Sequence, residues 1–322
     1  MNVDTPGLAY RHISLLTDYG LGDEFVGVVK AVIADLAPAV RVLDLTHDIA
    51  PFDVRAGSLA LARSISYIPS GVVMAVVDPG VGSDRKAIAV EVAGGEGILV
   101  GPDNGLLAPA VALAGGAERA VELTNTEYQL VAPGATFAGR DIFAPAAAHL
   151  CNGVPLTELG PELDADLLVP ATIPLPRHEG DTLVAEVLWV DRFGNCQLNV
   201  AVEELAVLGP VADIDESDPA ALRAAIAKAI PTVQMTLSDP TAPGATIKRS
   251  AVLADHYAAI GGGPGLVTDS AGMLSICVDR ASAAAEMGLD TGDQVVLAAG
   301  GETPAVAVRV DAPTIAPRGP AR

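Results

Sequence analysis

The sequence predicts an α/β N-terminal domain with a mostly parallel sheet, followed by a smaller all-β barrel domain. Apolar runs of strand length alternate with segments of helical periodicity over the first half of the chain. After a proline-rich stretch, the pattern changes to short strands with period-two features. Half of the 322 residues are hydrophobic and 18% are charged, so the chain has enough apolar material for two globular cores.

The first half of the chain alternates strands with helices, which is typical of a parallel sheet with crossover helices. The helix after the first strand has an acidic first turn, and Asp53 is a candidate N-cap for the next helix. Two short strands and two further helices complete the domain. In chain order, the predicted strands are 13–16, 40–45, 71–77, 86–92 and 97–101, and the predicted helices are 23–36, 53–65, 104–114 and 141–151.

The segment "VPATIPLPRHEGD" (169–181) has three prolines and no helical period, so we expect a linker there. This places the domain boundary between residues 172 and 173, giving domains 1–172 and 173–322. Short strands beyond it, from "TLVAEVLWVD" to "PAVAVRV", predict a small barrel or sandwich, with an inserted helix at 218–230. The proline-rich end "APTIAPRGPAR" is expected to be a frayed tail.

Composition excludes several classes of function. The formal net charge is −21, which argues against a nucleic-acid partner because phosphate backbones require a basic surface. The three cysteines lie far apart, and no His/Cys/Asp cluster has ligand spacing, so neither a disulfide framework nor a metal site is expected. No apolar run could span a bilayer and no signal peptide is visible, so we expect a cytoplasmic protein without a membrane partner.

Three polar loops follow the first three strands: "TDYG" (17–20), "THDIAPFD" (46–53) and "DPGVGSDR" (78–85). In open α/β sheets, ligands bind outside the carboxyl ends of the strands. Asp18 could accept hydrogen bonds from a sugar diol, or it could close its own turn. The nearby glycines do not complete a G-x-G-x-x-G fingerprint, so a nicotinamide site is not favoured.

Asp78 and Arg85 flank a glycine-rich loop, where they could position a water for attack or form an ordinary salt bridge. In the second domain, "VDRFGNCQLN" offers Phe193 as a stacking face and Asn195 as an amide for an adenine edge. A β-turn with a buried anchor is the alternative there. Ser270, in "TDSAGMLSI", is placed to donate a hydroxyl to a carboxylate.

Taken in order, seven segments resemble the adenosine-forming S-adenosyl-L-methionine hydrolases, which are related to the fluorinase and chlorinase enzymes. The similarity runs from about Ile13 to Val296. It implies an α/β domain, a C-terminal β-barrel and a homotrimer with each site between two subunits. The segments are "TDYGLGDEFVGVVKAVI", "DLTHDIAPFDVRAG", "DPGVGSDRKAIAV", "GPDNGLL", "TFAGRDIFAPAAAHL", "DRFGNCQLN" and "DSAGMLSI".

The resemblance also implies roles for matching residues. S-adenosyl-L-methionine would be the substrate, no separate cofactor is expected, and adenosine and L-methionine would be the products. The implied substrate-binding residues are Asp18 on the ribose hydroxyls, Phe52 near the ribose, Phe137 in the same pocket, Phe193 and Asn195 on adenine, Asp191 on the methionine ammonium and Ser270 on its carboxylate.

Asp78 and Arg85 match two members of the family's water-activating Asp–Arg–His triad. The family block usually reads T-F-H-G-R-D, whereas this chain has "TFAGRD", so Ala138 stands where the histidine belongs. His47 and His149 are the candidates for approaching the site in the fold. We therefore expect the active site to be a variant one, with hydrolysis impaired by Ala138.

Two alternative functions stay open at this stage. A halogenase would replace water with halide, but Asp78 is an anion where a halide pocket requires neutral donors. The turn between "KAIAVEV" and "GILVG" is also short, whereas the fluorinase carries an insertion there. A non-catalytic binder of adenosyl ligands is the second alternative, because the triad histidine is missing. Ala271 stands where halogenase relatives have an arginine, which leaves recognition of the methionine end open.

Overall fold

A computed structural model describes residues 8–209, 218–242, 244–300 and 308–310. The chain divides into two compact units, residues 1–173 and 174–322. In the first unit, the elements are β1 (His12–Thr17), α1 (Phe25–Leu36), β2 (Arg41–Thr46), α2 (Val54–Ser64), β3 (Gly71–Val76), β4 (Ala87–Val92), β5 (Gly97–Pro102), α3 (Ala108–Leu113), β6 (Arg119–Glu122), α4 (Ala144–Cys151) and β7 (Glu162–Leu163).

The first unit is an α/β fold around one sheet of order β2-β1-β3-β5-β4-β6-β7. β1 is parallel to β2 and β3, and β3 is parallel to β5. β4 is antiparallel to both its neighbours, and β7 is antiparallel to β6. Five of the seven strands therefore run in one direction, which confirms the predicted mostly parallel sheet. Parallel strands put their carboxyl ends at one edge, so the loops after β1, β2 and β3 meet there.

The predicted helix at 104–114 begins later than expected, at Ala108. The Asn104 side chain donates a hydrogen bond to the carbonyl of Val77, at 2.9 Å, and accepts one from the amide of Leu106, at 3.1 Å. These bonds hold residues 104–106 in a turn, and the competition between side-chain and backbone bonding delays the helix.

The predicted helix at 141–151 is preceded by a π-helical turn, Gly139–Phe143, and becomes α-helical only in α4. Pro145 has no N–H to donate to the carbonyl of Asp141. That carbonyl instead accepts the amide of Leu130, at 2.9 Å, and Ala144 bonds to Gly139. The wider turn therefore follows from a proline together with a distant backbone donor. Such turns are frequent at functional sites.

The second unit contains a closed seven-stranded barrel, which confirms the predicted all-β barrel. The strand order is β10-β14-β13-β12-β11-β15-β9, and β9 pairs with β10 to close it. The elements are β8 (Arg177–Glu179), β9 (Thr182–Val190), β10 (Cys196–Ala201), α5 (Pro219–Ala229), β11 (Thr232–Ser238), β12 (Thr246–Ala254), β13 (Pro264–Thr268), β14 (Met273–Val278), α6 (Ala283–Met287), β15 (Gln294–Ala299) and β16 (Val308–Val310).

The predicted linker at 169–181 is wrong at its end, because Arg177–Glu179 forms β8, which pairs with β9. Gly180 takes a positive φ of 59° in the turn, a conformation open to glycine, and the Thr182 hydroxyl closes the turn on the carbonyl of Glu179. Of the predicted strand at 304–310, the structure describes only residues 308–310, which form β16. Its remainder, 304–307, and the predicted tail at 312–322 lie outside the described residues.

The three cysteines are free and buried. Among the described residues, no helix is both long enough and apolar enough to cross a membrane.

Candidate active site

The loops after β1, β2 and β3 carry Asp18, Phe52 and Asp78 to one open cavity of about 270 Å³. The segment before α4 supplies a further wall, including Phe137 and Ala138. These five candidate residues are thus brought together by the edge of the parallel sheet. The complete lining is Asp18, Tyr19, Phe25, Pro51, Phe52, Asp78, Val81, Thr136, Phe137, Ala138 and Gly139.

Asp78, which lines this cavity, forms a close ion pair with Arg85, which is not itself among the lining residues. Arg85 Nε lies 2.8 Å from Asp78 Oδ1 and 2.9 Å from Oδ2, and Nη2 also contacts Oδ2. The side chains are 6% and 13% exposed, respectively. The guanidinium carbon lies 5.2 Å from the centre of the Phe143 ring, which fixes the plane of the arginine. Arg85 therefore orients a carboxylate that lines the cavity and keeps spare acceptor capacity.

Asp18 and Phe52 are joined by a hydrogen bond from the Phe52 amide to Asp18 Oδ2, at 2.9 Å. Phe52 adopts a positive φ of 70° and its side chain is 71% exposed. A non-glycine residue in this region is strained, and such strain concentrates at functional sites. The bond also uses only part of the carboxylate's capacity, so Asp18 can still accept hydrogen bonds from a ligand.

Ala138 is 6% exposed, immediately precedes the π-helical turn and is among the residues that line the cavity. The cavity lining contains no histidine. His47 Nδ1 lies 2.9 Å from the Thr17 hydroxyl and its Nε2 lies 3.2 Å from Asp44. His149 packs against the Tyr128 ring with a centroid distance of 5.0 Å. Both histidines therefore contact residues that do not line the cavity.

An aromatic cluster borders the same cavity, and the sequence had pointed to only one of its members, Phe137. Tyr19, Phe25 and Phe137 lie with ring centroids 5.2–5.9 Å apart and steep interplanar angles. Burial, and then the nearby carboxylates Asp18 and Asp78, raise the pKa of the Tyr19 hydroxyl, so it stays protonated. The scarcity of aromatic residues, at 3% of the chain, was the available signal, because Tyr19 lies in the loop after β1 and Phe25 is the first residue of α1.

Replacing Gly139 with alanine should disturb this cluster, because the added Cβ would overlap the Tyr19 hydroxyl. We expect Gly139→Ala to lower the free energy of unfolding by about 1–3 kcal/mol through overpacking. Urea unfolding would measure the change. Adding Tyr19→Phe removes the overlapping oxygen and should recover most of the loss. Purely additive losses in the double variant would contradict this explanation.

The second unit carries a separate open cavity of about 610 Å³, lined by Asp191, Phe193 and Asn195 together with Tyr257 and the turn after β14. Phe193 is 76% exposed, so its ring is not a buried anchor of the turn. The Asp191 carboxylate accepts hydrogen bonds from the amides of Phe193 and Asn195, and from the Asn195 side chain, at 2.8–2.9 Å. These bonds hold the turn so that the phenyl ring is presented to the cavity.

Ser270 lies on the exposed turn between β13 and β14 and is not among the residues that line this cavity. Asp269 organises that turn, accepting the amides of Ala271 and Met273 through Oδ1. Its Oδ2 accepts the Ser275 hydroxyl and the Gln197 amide, at 3.1 and 2.6 Å. The Ser270 hydroxyl is therefore presented by a rigid turn at the barrel surface. In the described part of the chain, no group of three or more His, Cys, Asp or Glu side chains could hold a metal ion.

Comparisons with known proteins also match the N-terminal and C-terminal parts of the chain separately. The model described as "SAM hydroxide adenosyltransferase N-terminal domain" matches residues 13–160, and the corresponding C-terminal model matches residues 185–296. A Salinispora tropica protein named (R)-S-adenosyl-L-methionine hydrolase is 42% identical over 288 residues, covering 89% of this chain and 98% of that protein. A fluorinase from an Actinoplanes species is 28% identical over 221 residues, covering 61% and 74%.

Among solved structures, an uncharacterized conserved protein from Thermotoga maritima matches with a TM-score of 0.73 and 32% identity, over 89% of this chain and 99% of that one. The two segments matched by the family models contain all ten candidate site residues, six in the first and four in the second.

Proposed function

The chain belongs to the SAM hydroxide adenosyltransferase family, and on that premise we propose that it is an enzyme that hydrolyses S-adenosyl-L-methionine to adenosine and L-methionine. The Salinispora tropica relative named as a hydrolase of this compound supports the activity. The observation that carries the proposal is the oriented Asp78–Arg85 pair at a cavity that also contains Asp18 and aromatic rings.

The reaction we propose is an in-line displacement at the ribose 5′-carbon. Water oxygen forms the new bond to carbon, the carbon–sulfur bond breaks, and its electron pair stays on sulfur, which leaves as the neutral thioether of methionine. The proton lost by water is received by the carboxylate of Asp78, which Arg85 holds in place. The protein aligns the nucleophile, the carbon and the sulfur.

Charge explains why a cavity at this sheet edge suits the reaction. A hydroxide-like nucleophile and a sulfonium neutralise each other as the bond forms, so removing bulk water favours the step. Asp18 and Asp78 line the cavity, and no lysine, arginine or histidine is among the lining residues. An acidic, apolar cavity of this kind attracts a cationic substrate.

In this proposal, Asp18 binds the ribose hydroxyls and Phe52 packs near the sugar. On the barrel, Phe193 stacks on adenine and the Asn195 amide forms a hydrogen bond with the edge of the base. Asp191 contacts the ammonium group of the methionine part, and Ser270 contacts its carboxylate. The hydrogen bonds that Asp191 accepts within its own turn leave limited acceptor capacity for an ammonium group. Asp191 therefore contributes both a negative charge and the shape of the turn.

We further propose that the active enzyme is a homotrimer, in which a first-unit cavity and a second-unit cavity of neighbouring chains face one substrate. In this arrangement each unit would supply one part of the nucleoside site. The exposed Phe52 and Phe193 rings are the features that this arrangement would cover. A solution mass of three times 32.6 kDa would support the trimer, and a monomer at assay concentrations would contradict it.

Chromatography of a reaction with S-adenosyl-L-methionine tests the activity directly. Equal amounts of adenosine and L-methionine should accumulate with time. Formation of a 5′-halo-adenosine in the presence of chloride or fluoride would instead support the halogenase alternative. Tight binding measured by calorimetry without any product, even after Ala138→His, would support a non-catalytic binder.

Replacing Phe193 with alanine should weaken binding of S-adenosyl-L-methionine. Stacking of an aromatic side chain on a base contributes about 1–3 kcal/mol, which corresponds to roughly 5- to 150-fold in Kd. Calorimetry measures the change, and Tyr67→Ala is a matched control because Tyr67 is an exposed aromatic outside either cavity. Equal effects of the two substitutions would contradict the assignment of Phe193 to the nucleobase.

Mixing two impaired variants tests whether neighbouring chains share a site. If one chain supplies Asp78 and another supplies Phe193, mixed trimers of Asp78→Asn and Phe193→Ala subunits should regain roughly a quarter of the intact sites. Activity at low substrate concentration would then exceed that of either variant alone. No gain after subunit exchange would contradict a shared site.

A further inference from the structure

The aromatic residues of the chain are concentrated where the proposed substrate binds. The chain has eleven aromatic residues, and four of them (Tyr19, Phe25, Phe52 and Phe137) line the 270 Å³ cavity. The lining contains two carboxylates and no basic side chain. Its chemistry is therefore that of a site for a cation with apolar substituents.

A sulfonium cannot donate a hydrogen bond, because its positive sulfur carries only carbon substituents. A site can recognise its charge through carboxylates or through the negative faces of aromatic rings. Asp78 is already paired with Arg85, and Asp18 holds the Phe52 amide. In the proposed function Asp18 also binds the ribose hydroxyls and Asp78 the attacking water, so the ring faces are the groups of this cavity left for the sulfonium.

Phe52 is assigned to the sugar in the proposed function, and Phe25 is better placed for this role than Phe137. The guanidinium carbon of Arg140 lies 5.1 Å from the Phe137 centroid, so one face of Phe137 already contacts a cation. Phe25 is 38% exposed at the start of α1, and it packs against Tyr19 with a centroid distance of 5.9 Å. Phe25 therefore offers a partly exposed ring in the cavity lining, and the Tyr19 ring supports it.

We infer that Phe25, supported by Tyr19, is a specificity-determining residue that recognises the substrate's sulfonium charge by a cation–π contact, an inference that rests on the proposed function. The contact favours the charged substrate over neutral adenosyl thioethers of similar shape. As the carbon–sulfur bond breaks, sulfur loses its charge and the contact weakens. The contact therefore acts mainly on substrate binding and does not accelerate the chemical step.

Calorimetric binding of two ligands to Phe25→Leu tests this inference. S-adenosyl-L-methionine carries the sulfonium, and S-adenosyl-L-homocysteine is the neutral thioether. We expect Phe25→Leu to weaken binding of the sulfonium by about 2- to 30-fold, with a clearly smaller change for the thioether. Phe25→Trp, which provides a larger ring face, should bind the sulfonium at least as tightly as the unaltered chain.

The outcomes separate the two proposals. Equal losses for both ligands would overturn the cation–π assignment and leave Phe25 as a packing residue, as would no loss for either ligand. If the unaltered chain bound neither ligand, the proposed function would fail and this inference with it. Tyr67→Leu is the matched control, and thermal melting of each variant shows whether it is folded.

Discussion

Restoring histidine at position 138 is expected to raise the rate of adenosine release by about 10²- to 10⁴-fold, the usual contribution of a positioned acid–base group. Ala138 is 6% exposed and is among the residues that line the cavity, so position 138 is next to the space that the substrate is proposed to occupy. In the proposed mechanism, the new imidazole would complete the triad that orients the water with Asp78 and Arg85. Substrate affinity should change little, because Ala138 is not among the residues assigned to binding. Steady-state kinetics with separate kcat and KM values measure the effect.

Two control variants show whether any gain comes from acid–base chemistry at this position. Ala138→Asn adds a polar side chain that cannot titrate near neutral pH, and it should not raise the rate. Thr136→His places an imidazole at an exposed position of the same cavity lining, and it should have little effect. A rate for Ala138→His that does not exceed that of the unaltered chain would contradict the assignment of Ala138 to the triad position.

The sequence predicted the parts of the fold that depend on local pattern. The alternation of apolar runs and helical periods predicted the parallel sheet, and the short alternating strands predicted the barrel. Because the carboxyl ends of parallel strands meet at one edge, Asp18, Phe52 and Asp78 could be grouped before their positions were known. The N-cap at Asp53 is also local, and its side chain accepts the amide of Ala56 at 2.8 Å.

The features that the sequence did not predict depend on partners distant in the chain. The late start of α3 depends on Asn104 reaching the carbonyl of Val77, and the π-helical turn depends on Leu130 bonding to Asp141. The hydrophobic periodicity of the sequence does not predict such bonds. The aromatic cluster joins Tyr19 and Phe25 to Phe137, which is more than one hundred residues away, and this proximity exists only in the folded unit.

Replacing Asp78 with asparagine should cause the largest loss of activity, and we expect the loss to depend on the residue at position 138. In the Ala138→His background, Asp78→Asn should lower kcat by about 10²- to 10⁴-fold, because it removes the carboxylate that we propose receives the proton. In the unaltered chain, the same substitution should lower kcat by a much smaller factor. Residues that act on one water as a unit have non-additive effects. An equal loss in both backgrounds would show that the two positions act independently.

Stability must be separated from catalysis in this test, because Asp78→Asn leaves the largely buried Arg85 charge without its carboxylate. Breaking a buried pair by removing one partner costs about 3–5 kcal/mol. The double variant Asp78→Asn/Arg85→Gln removes both charges and should recover much of that stability but none of the activity. The Glu91–Arg119 pair of the same unit is the matched control: Arg119 is 50% exposed, so Glu91→Gln should alter stability by at most about 1 kcal/mol. Recovery of kcat together with stability in the double variant would mean that Asp78 serves the fold and not the reaction.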